Sequence, residues 1–352
     1  MGKGKEVVFM NDTKRWNVIK SKNNEAMIKE AAQLLMDGNT VAFPTETVYG
    51  LGADATNEKA VEKIFQAKGR PQDNPLIAHV ATKEQLINLV EDIPDYVYRL
   101  IDHFSPGPIT YVLKSNGTCA ENVTAGLQTV GVRIPSHPVA LSLLKNCNIP
   151  IAAPSANTSG KPSPTTADHV WEDLAGKIAG VVDGGATGVG VESTVIDCTQ
   201  DIPIILRPGG ISKEELEEVV EMVSFDPALS GEDERITPKA PGMKYTHYAP
   251  EVPMWLVAGG SEKIQDVYNE LVTGGKRVGV LANRNTLEKM NVEYAISLGE
   301  TPEDVAANLY DGLRKFRKAE VDIILCDTYP EHGIGQAIMN RLRKAASRYI
   351  EE

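Results

Sequence analysis

Short apolar runs alternate along this chain with segments whose apolar positions recur at helical spacing. In residues 24–37, Ile28, Ala31, Ala32 and Leu35 share one helical face, with Asn24 read as the cap at its start and Gly38 at its end. The same pattern predicts helices near 58–67, 82–90, 94–104, 137–146 and 166–175. Apolar runs predict strands at 40–43, 76–80, 109–113, 130–134, 150–153, 178–182, 193–197 and 203–207. Not every strand pair is separated by a helix, so the expected sheet is twisted and mixed rather than purely parallel. Residues 212–223 read as a helix capped by Ser212 ahead of an acidic first turn.

After it the texture changes. Pro227, Pro238, Pro241 and Pro250 and an acidic run mark 224–252 as a linker. Beyond it, predicted strands 254–258, 277–282, 294–299 and 321–326 alternate with helices 261–273, 285–290 and 302–319, and a last helix covers 334–349. This alternation implies a small parallel, Rossmann-like sheet. The expected fold class is α/β: a mixed-sheet domain over 15–223, a linker over 224–252, and a smaller Rossmann-like parallel-sheet domain over 253–352. The length of 352 residues agrees with two domains.

Charge narrows the function classes. The 36 Lys and Arg stand against 48 Asp and Glu, a formal net charge of −12, and no basic face of the kind a general nucleic-acid binder carries is visible. No stretch is long and apolar enough for a membrane helix. The N-terminus has no signal-peptide pattern, and Met1-Gly2 lacks the nearby Ser or Thr of a myristoylation motif. Cys119, Cys147, Cys198 and Cys326 are scattered, with no Cys-x-x-Cys spacing, which argues against a zinc ribbon and fits a cytoplasmic location.

Candidate chemistry gathers where strands end. Gly50-Leu51-Gly52 imitates a dinucleotide fingerprint, but Pro44 parts it from the preceding strand and the next helix starts late, so that reading is set aside. Pro44–Gly52 offers hydroxyls at a strand end; its plainer reading is a tight turn. Lys68-Gly69-Arg70-Pro71, then Asn74-Pro75 and His79, holds two cations in a loop stiffened by proline, as phosphate binding favours. The alternative is a surface turn. Ala153-Pro154-Ser155-Ala156-Asn157, followed by Lys161-Pro162-Ser163, supplies neutral donors for phosphate or ribose, or else caps and Asx turns. Glu192-Ser193-Thr194 and Arg207-Pro208-Gly209 put polar groups beside strands, and Arg133 lies in a strand whose alternation points it into a cleft or toward a structural partner. The block 241–250 is unusually aromatic for a linker, and reads as a pocket lid or a domain clamp.

Taken in order, Lys68-Gly69-Arg70, Ser155-Ala156-Asn157, Glu192-Ser193-Thr194, Arg207-Pro208-Gly209 and the 241–250 block resemble the threonylcarbamoyl-AMP synthases in their long, two-domain form. The first ~220 residues resemble a YrdC-type catalytic domain, a length one domain can hold. The resemblance implies that L-threonine, bicarbonate and ATP become threonylcarbamoyl-AMP and pyrophosphate, with Mg²⁺ accompanying ATP. A separate threonylcarbamoyl-transfer complex would then modify adenosine in tRNA, with no stable tRNA binding here. It further implies that Thr47, His79, Arg133, Ala153 and Ser193 hold threonine. Arg70, Asn74, Thr129, Ser155, Asn157, Ser163, Arg207 and Tyr245 would hold ATP. Lys68 and Arg70 would align substrate charge, since both nucleophiles come from substrates and none is needed from protein. Three other readings remain at this stage: an RNA-binding module, disfavoured by the acidic charge, a related carbamoyltransferase with the same fold, disfavoured by the lack of paired cysteines, and a nucleotide-sensing regulator.

Overall fold

Two sheets hold all the strands of the computed structural model, which describes residues 12–230, 248–316 and 319–351. The first contains β1 (Lys14–Asn17), β2 (Val41–Phe43), β3 (Gly50–Asp54), β4 (Ile77–His79), β5 (Val90–Glu91), β6 (Ile109–Ser115), β7 (Thr129–Arg133), β8 (Ile151–Ala152), β9 (Gly180–Asp183), β10 (Thr194–Asp197), β11 (Ile204–Arg207) and β12 (Ser224–Phe225). Their order is β1-β9-β2-β3-β8-β4-β7-β6-β10-β11-β12, with β5 on β6. Parallel and antiparallel pairs are interleaved: β4 runs parallel to β7 but antiparallel to β8. The expected mixed α/β sheet is therefore present.

The second sheet contains β13 (Met254–Val257), β14 (Val278–Ala282), β15 (Tyr294–Ser297), β16 (Ile323–Asp327) and β17 (Arg348–Ile350), in the order β15-β14-β16-β13-β17 and parallel throughout. The alternation is Rossmann-like as expected, but β16 separates β14 from β13, where a dinucleotide-binding sheet keeps its first two strands adjacent.

Several boundaries differ from the sequence reading for identifiable reasons. Gly50–Asp54 is a strand, not a turn: a Cβ at Gly52 would lie 2.8 Å from Ile151 and 2.9 Å from Phe43, so its glycine serves sheet packing. The first helix starts at Asn24 itself; Asn23 holds the cap position without a side-chain hydrogen bond. Ser212 does form a capping box with Glu215, but its helix stops at Glu217. The stretch read as linker begins with β12, which pairs with β11, and a short 3₁₀ turn at Pro227–Ser230. The final helix ends at Ala345, after which β17 closes the sheet against β13.

The two parts share apolar contacts. Val48 and Val191, from loops of the first part, pack in one cluster with Leu309, Tyr310 and Ile338 of the second. Gly190 is shaped for this approach: its φ is +79°, and a Cβ there would stand 2.3 Å from the Ala306 carbonyl oxygen in helix Pro302–Lys315. A buried ion pair, Arg314 Nη2 to Asp173 Oδ2 at 2.9 Å, crosses the same boundary. Among the described residues no helix is long and apolar enough to cross a membrane.

Candidate active site

A cleft at the strand ends of the first sheet gathers most of the residues singled out above. It is lined by Thr47, Lys68, Arg70, His79, Arg133, Ala153, Ser155, Asn157, Ser163, Ser193 and Arg207. It holds about 720 Å³ of space not filled by atoms, part of it open to solvent.

One wall is built around Arg133. The β4–β7 register sets His79 opposite Arg133. After β2, Thr45 Oγ1 donates to the Val48 carbonyl at 2.7 Å and accepts from the amides of Thr47 and Val48, which folds the loop and turns Thr47 inward. The Arg133 guanidinium donates Nε–H to the Gly107 carbonyl at 3.3 Å, Nη1–H to Thr47 Oγ1 at 3.0 Å and Nη2–H to Glu46 Oε1 at 2.6 Å. Arginine carries five N–H donors, so these bonds do not exhaust it. Both sequence readings of Arg133 thus meet: it is buried with a structural partner, and it lines the cleft.

His79 is neutral. Burial, with Arg133 adding to it, drives its pKa down to about 3 against the opposing bonds to the Ile77 and Ile151 carbonyls. Its Nδ1 donates to the Ile77 carbonyl at 3.1 Å. Because the folded pKa lies below the unfolded value near 6.5, the unfolded chain binds more protons in between. Stability from this group is full above pH 6.5 and is lost as pH falls toward 3, by up to about 1.4 kcal/mol per pH unit. Urea unfolding at pH 7, 6 and 5 is expected to show this slope in the native chain and a shallower one in His79→Asn. Equal slopes would assign the acid sensitivity elsewhere.

The opposite wall hangs on Lys68. Helix Glu58–Lys68 ends at Gly69 in the left-handed conformation, φ 63°, which stops the helix with Lys68 on its last turn. Lys68 is only 2% exposed, and Nζ donates to the carbonyls of Ser155 and Asn157 at 2.5 Å each. Burial, aided by Arg70, pulls its pKa well below the ordinary lysine range. The loop it holds is further closed by Ser155 Oγ donating to Asn157 Oδ1 at 2.5 Å and by Asn157 Nδ2 donating to the Thr158 and Lys161 carbonyls. Lys68 therefore shapes the Ser155–Asn157 loop as well as charging the wall.

A third group meets two helices of the second part, through Tyr310 and Arg341. Ser163 Oγ donates to Glu192 Oε1 at 2.6 Å, while Arg207 donates to the Ser193 carbonyl and to Ser193 Oγ. Burial opposes ionisation of Glu192, but Arg341 and Arg207 outweigh it and hold the carboxyl down to about 2. Tyr248 also lines the cleft, stacked on Tyr310 with ring centroids 5.3 Å apart. Its φ of +68° is a left-handed conformation that costs a side-chain-bearing residue about 1–2 kcal/mol.

Two residues of the sequence assignment stand apart from this lining. Asn74 is buried and accepts, through its carbonyl, a long 3.4 Å bond from Arg70 Nη2; Thr129 begins β7 opposite Lys114. Tyr245 lies outside the described residues, as do 241–247 as a whole. Glu46, Glu192 and Tyr248 contribute to the site although none had been given a role; for Glu192 and Tyr248 the signal was their place inside the noted motifs.

The charge balance of the cleft is its clearest chemical feature. Among the described residues, Lys68, Arg70, Arg133, Lys161 and Arg207 line it, against the single carboxylate of Glu192, in a chain whose net charge is −12. Such a lining is built for anions. No cluster of three or more acidic, histidine or cysteine side chains capable of holding a metal occurs among the described residues.

Comparison with known proteins agrees over the whole length. Residues 33–209 match the Sua5/YciO/YrdC family described as "Telomere recombination", and residues 211–347 match the family described as "Threonylcarbamoyl-AMP synthase, C-terminal domain". The chain is 51% identical to the threonylcarbamoyl-AMP synthase of Bacillus subtilis, over 95% of this chain and 98% of that one. It is 47% identical to that of Pyrococcus abyssi, over 94% and 97%, and 40% identical to that of Schizosaccharomyces pombe, over 92% and 89%. A crystal structure of P. abyssi Sua5 complexed with L-threonine superposes with a TM-score of 0.91 at 45% identity, covering 97% of this chain and 99% of that one. A pocket lined for anions at the strand ends of the mixed sheet, in a chain matched over nearly its whole length by these relatives, identifies the chain as a member of the threonylcarbamoyl-AMP synthase family of enzymes.

Proposed function

We propose that this cleft joins L-threonine, bicarbonate and ATP into threonylcarbamoyl-AMP and pyrophosphate, for the threonylcarbamoyl modification of adenosine in tRNA. The observation that carries the proposal is the cationic cleft divided between a Thr47–His79–Arg133 wall and a Lys68–Ser155–Asn157 wall. One wall suits an amino acid and the other a triphosphate.

The chemistry needs no protein nucleophile. The threonine amine forms a bond to the carbon of bicarbonate with loss of water, or to carbon dioxide left by dehydration of bicarbonate with loss of the amine proton, giving a carbamate. A carbamate oxygen then attacks the α-phosphorus, the bond from that phosphorus to the α–β bridging oxygen breaks, and pyrophosphate leaves with the electron pair. The chain's task is to bring two anions together and offset the charge that builds on phosphate.

In this reading the remaining N–H groups of Arg133 take the threonine carboxylate, and Thr47, neutral His79, Ala153 and Ser193 complete that subsite. Arg70, Ser155, Asn157, Ser163 and Arg207 hold the nucleotide, and Asn74 acts by steadying Arg70. Thr129 and Tyr245 remain assigned to ATP on resemblance. Mg²⁺ would neutralise part of the triphosphate charge. The oxygens of Ser155 and Asn157 and the absence of a carboxylate cluster among the described residues fit a cation carried mainly by phosphate and water. The adenylate then passes to a separate threonylcarbamoyl-transfer complex, and the work is done in the cytoplasm without stable tRNA binding.

The test is pyrophosphate release from ATP by the purified chain, with mass spectrometry of the product. Release is expected only when threonine and bicarbonate are both present. Equal release without threonine would remove the assignment.

A further inference from the structure

We propose that the second domain takes part in nucleotide binding through one side chain, Arg341, whose positive charge keeps the Glu192 carboxylate in the pocket wall from repelling the triphosphate. The inference rests on the reading of this cleft as an ATP site. It gives the second domain a defined task in the reaction.

Among the described residues, Glu192 is the only carboxylate that lines the cleft. Its two oxygens receive Ser163 Oγ–H at 2.6 Å, the Tyr310 hydroxyl at 2.9 and 3.1 Å, and Arg341 Nε–H at 2.8 Å. Two of these three donors come from the second domain, from helices Pro302–Lys315 and Gly335–Ala345. The one compensating charge among the donors is Arg341, 149 positions from Glu192 along the chain. Arg341 is 1% exposed, yet its Nη2 is buried without a hydrogen-bond partner. Nη1 donates to Asn340 Oδ1 at 2.8 Å, so the bond from Nε is the one that carries the charge to Glu192. The same guanidinium carbon lies 5.6 Å from the Tyr248 ring centroid, so it faces a second group of the cleft wall.

The electrostatic consequence has a sign. With Arg341 in place, the Glu192 carboxylate is neutralised by a charge that does not itself line the cleft. Without it, the strongest remaining positive charge acting on Glu192 is Arg207, which is then diverted from phosphate to the carboxylate. Arg341 is thus a positioning residue: it acts on the nucleotide through Glu192 and Ser163. Among the described residues, Thr47, His79 and Arg133 share no hydrogen bond with Glu192, Ser163, Tyr310 or Arg341.

The experiment is calorimetric titration of the full chain with ATP and, separately, with L-threonine. R341M is expected to weaken ATP binding about tenfold or more, with threonine affinity changed by less than about threefold. The double variant E192Q/R341M is expected to recover most of the lost ATP affinity, because no uncompensated charge then remains. A merely structural role would move both ligands together and leave the double variant no better than the single one. Unchanged ATP affinity in R341M, or no recovery in the double variant, overturns the proposal. Should R341M fail to fold, the double variant decides: folded and binding ATP supports the proposal. Folded and tenfold weaker, or itself unfolded, overturns it. A native chain that binds no ATP at all would instead sink the reading of the cleft.

Discussion

Lys68→Met is expected to lower turnover and ATP affinity by about a hundredfold or more while the chain remains folded. Methionine nearly matches the lysine stem in shape, so the packing of helix Glu58–Lys68 survives. What is lost is the donor to two carbonyls, those of Ser155 and Asn157. A buried carbonyl left without a donor costs about 1–3 kcal/mol, and the loop can escape that cost only by turning the carbonyls outward. Doing so displaces the Ser155 hydroxyl and Asn157 amide from the nucleotide wall. Lys68→Arg is expected to fail as well, because a site with 2% exposure has no room for the wider guanidinium. Pyrophosphate release and ATP titration measure the loss, and thermal unfolding checks the fold. Native turnover in Lys68→Met would mean that the side-chain bonds of Ser155 and Asn157 hold the loop without it.

The contrast between Lys68 and Arg341 shows what a sequence can and cannot reveal about such a site. Lys68, Ser155 and Asn157 were legible because each lies in a short, polar, proline- or glycine-marked segment just past a predicted element, where ligands gather in α/β sheets. Arg341 sits inside an ordinary amphipathic helix of a different domain. Nothing local separates it from its neighbour Arg343, which pairs with Glu331 on the surface. Its role appears only when the fold brings it to Glu192. Glu46 was missed for a related reason: a carboxylate next to a cationic cleft reads as an obstacle until Arg133 is seen to need a partner. In the fold, elements with a clean period were read correctly to within a few residues. Gly50–Asp54 was not, because it is buried along most of its length and therefore shows no polar alternation, and its glycines imitate a turn. The edge strand Arg348–Ile350 was absorbed into the preceding helix since three half-exposed residues carry no period.

Arg314→Met is expected to cost the native state about 3–5 kcal/mol, the penalty for leaving one member of a buried ion pair alone. Its guanidinium meets both Asp173 carboxylate oxygens, at 3.4 and 2.9 Å, and the Pro162 carbonyl at 2.5 Å. Asp173 in turn accepts the Thr158 amide at 3.2 Å. One arginine of the second domain thus clamps both ends of the loop between Asn157 and Ser163. Unlike Glu192, Asp173 does not line the cleft, so the main effect falls on stability and domain coupling, and loss of ATP affinity follows from a loosened loop. Urea unfolding is expected to shift to a lower midpoint, and any separation of one transition into two would show that the second domain has been uncoupled. Adding Asp173→Asn should restore part of the loss, since a neutral amide can still accept from Thr158 and no longer needs a cation. A wild-type midpoint for Arg314→Met would mean that Lys161, whose Nζ lies 3.8 Å from Asp173 Oδ1, already compensates the carboxylate and that the two domains are joined by their apolar contacts alone.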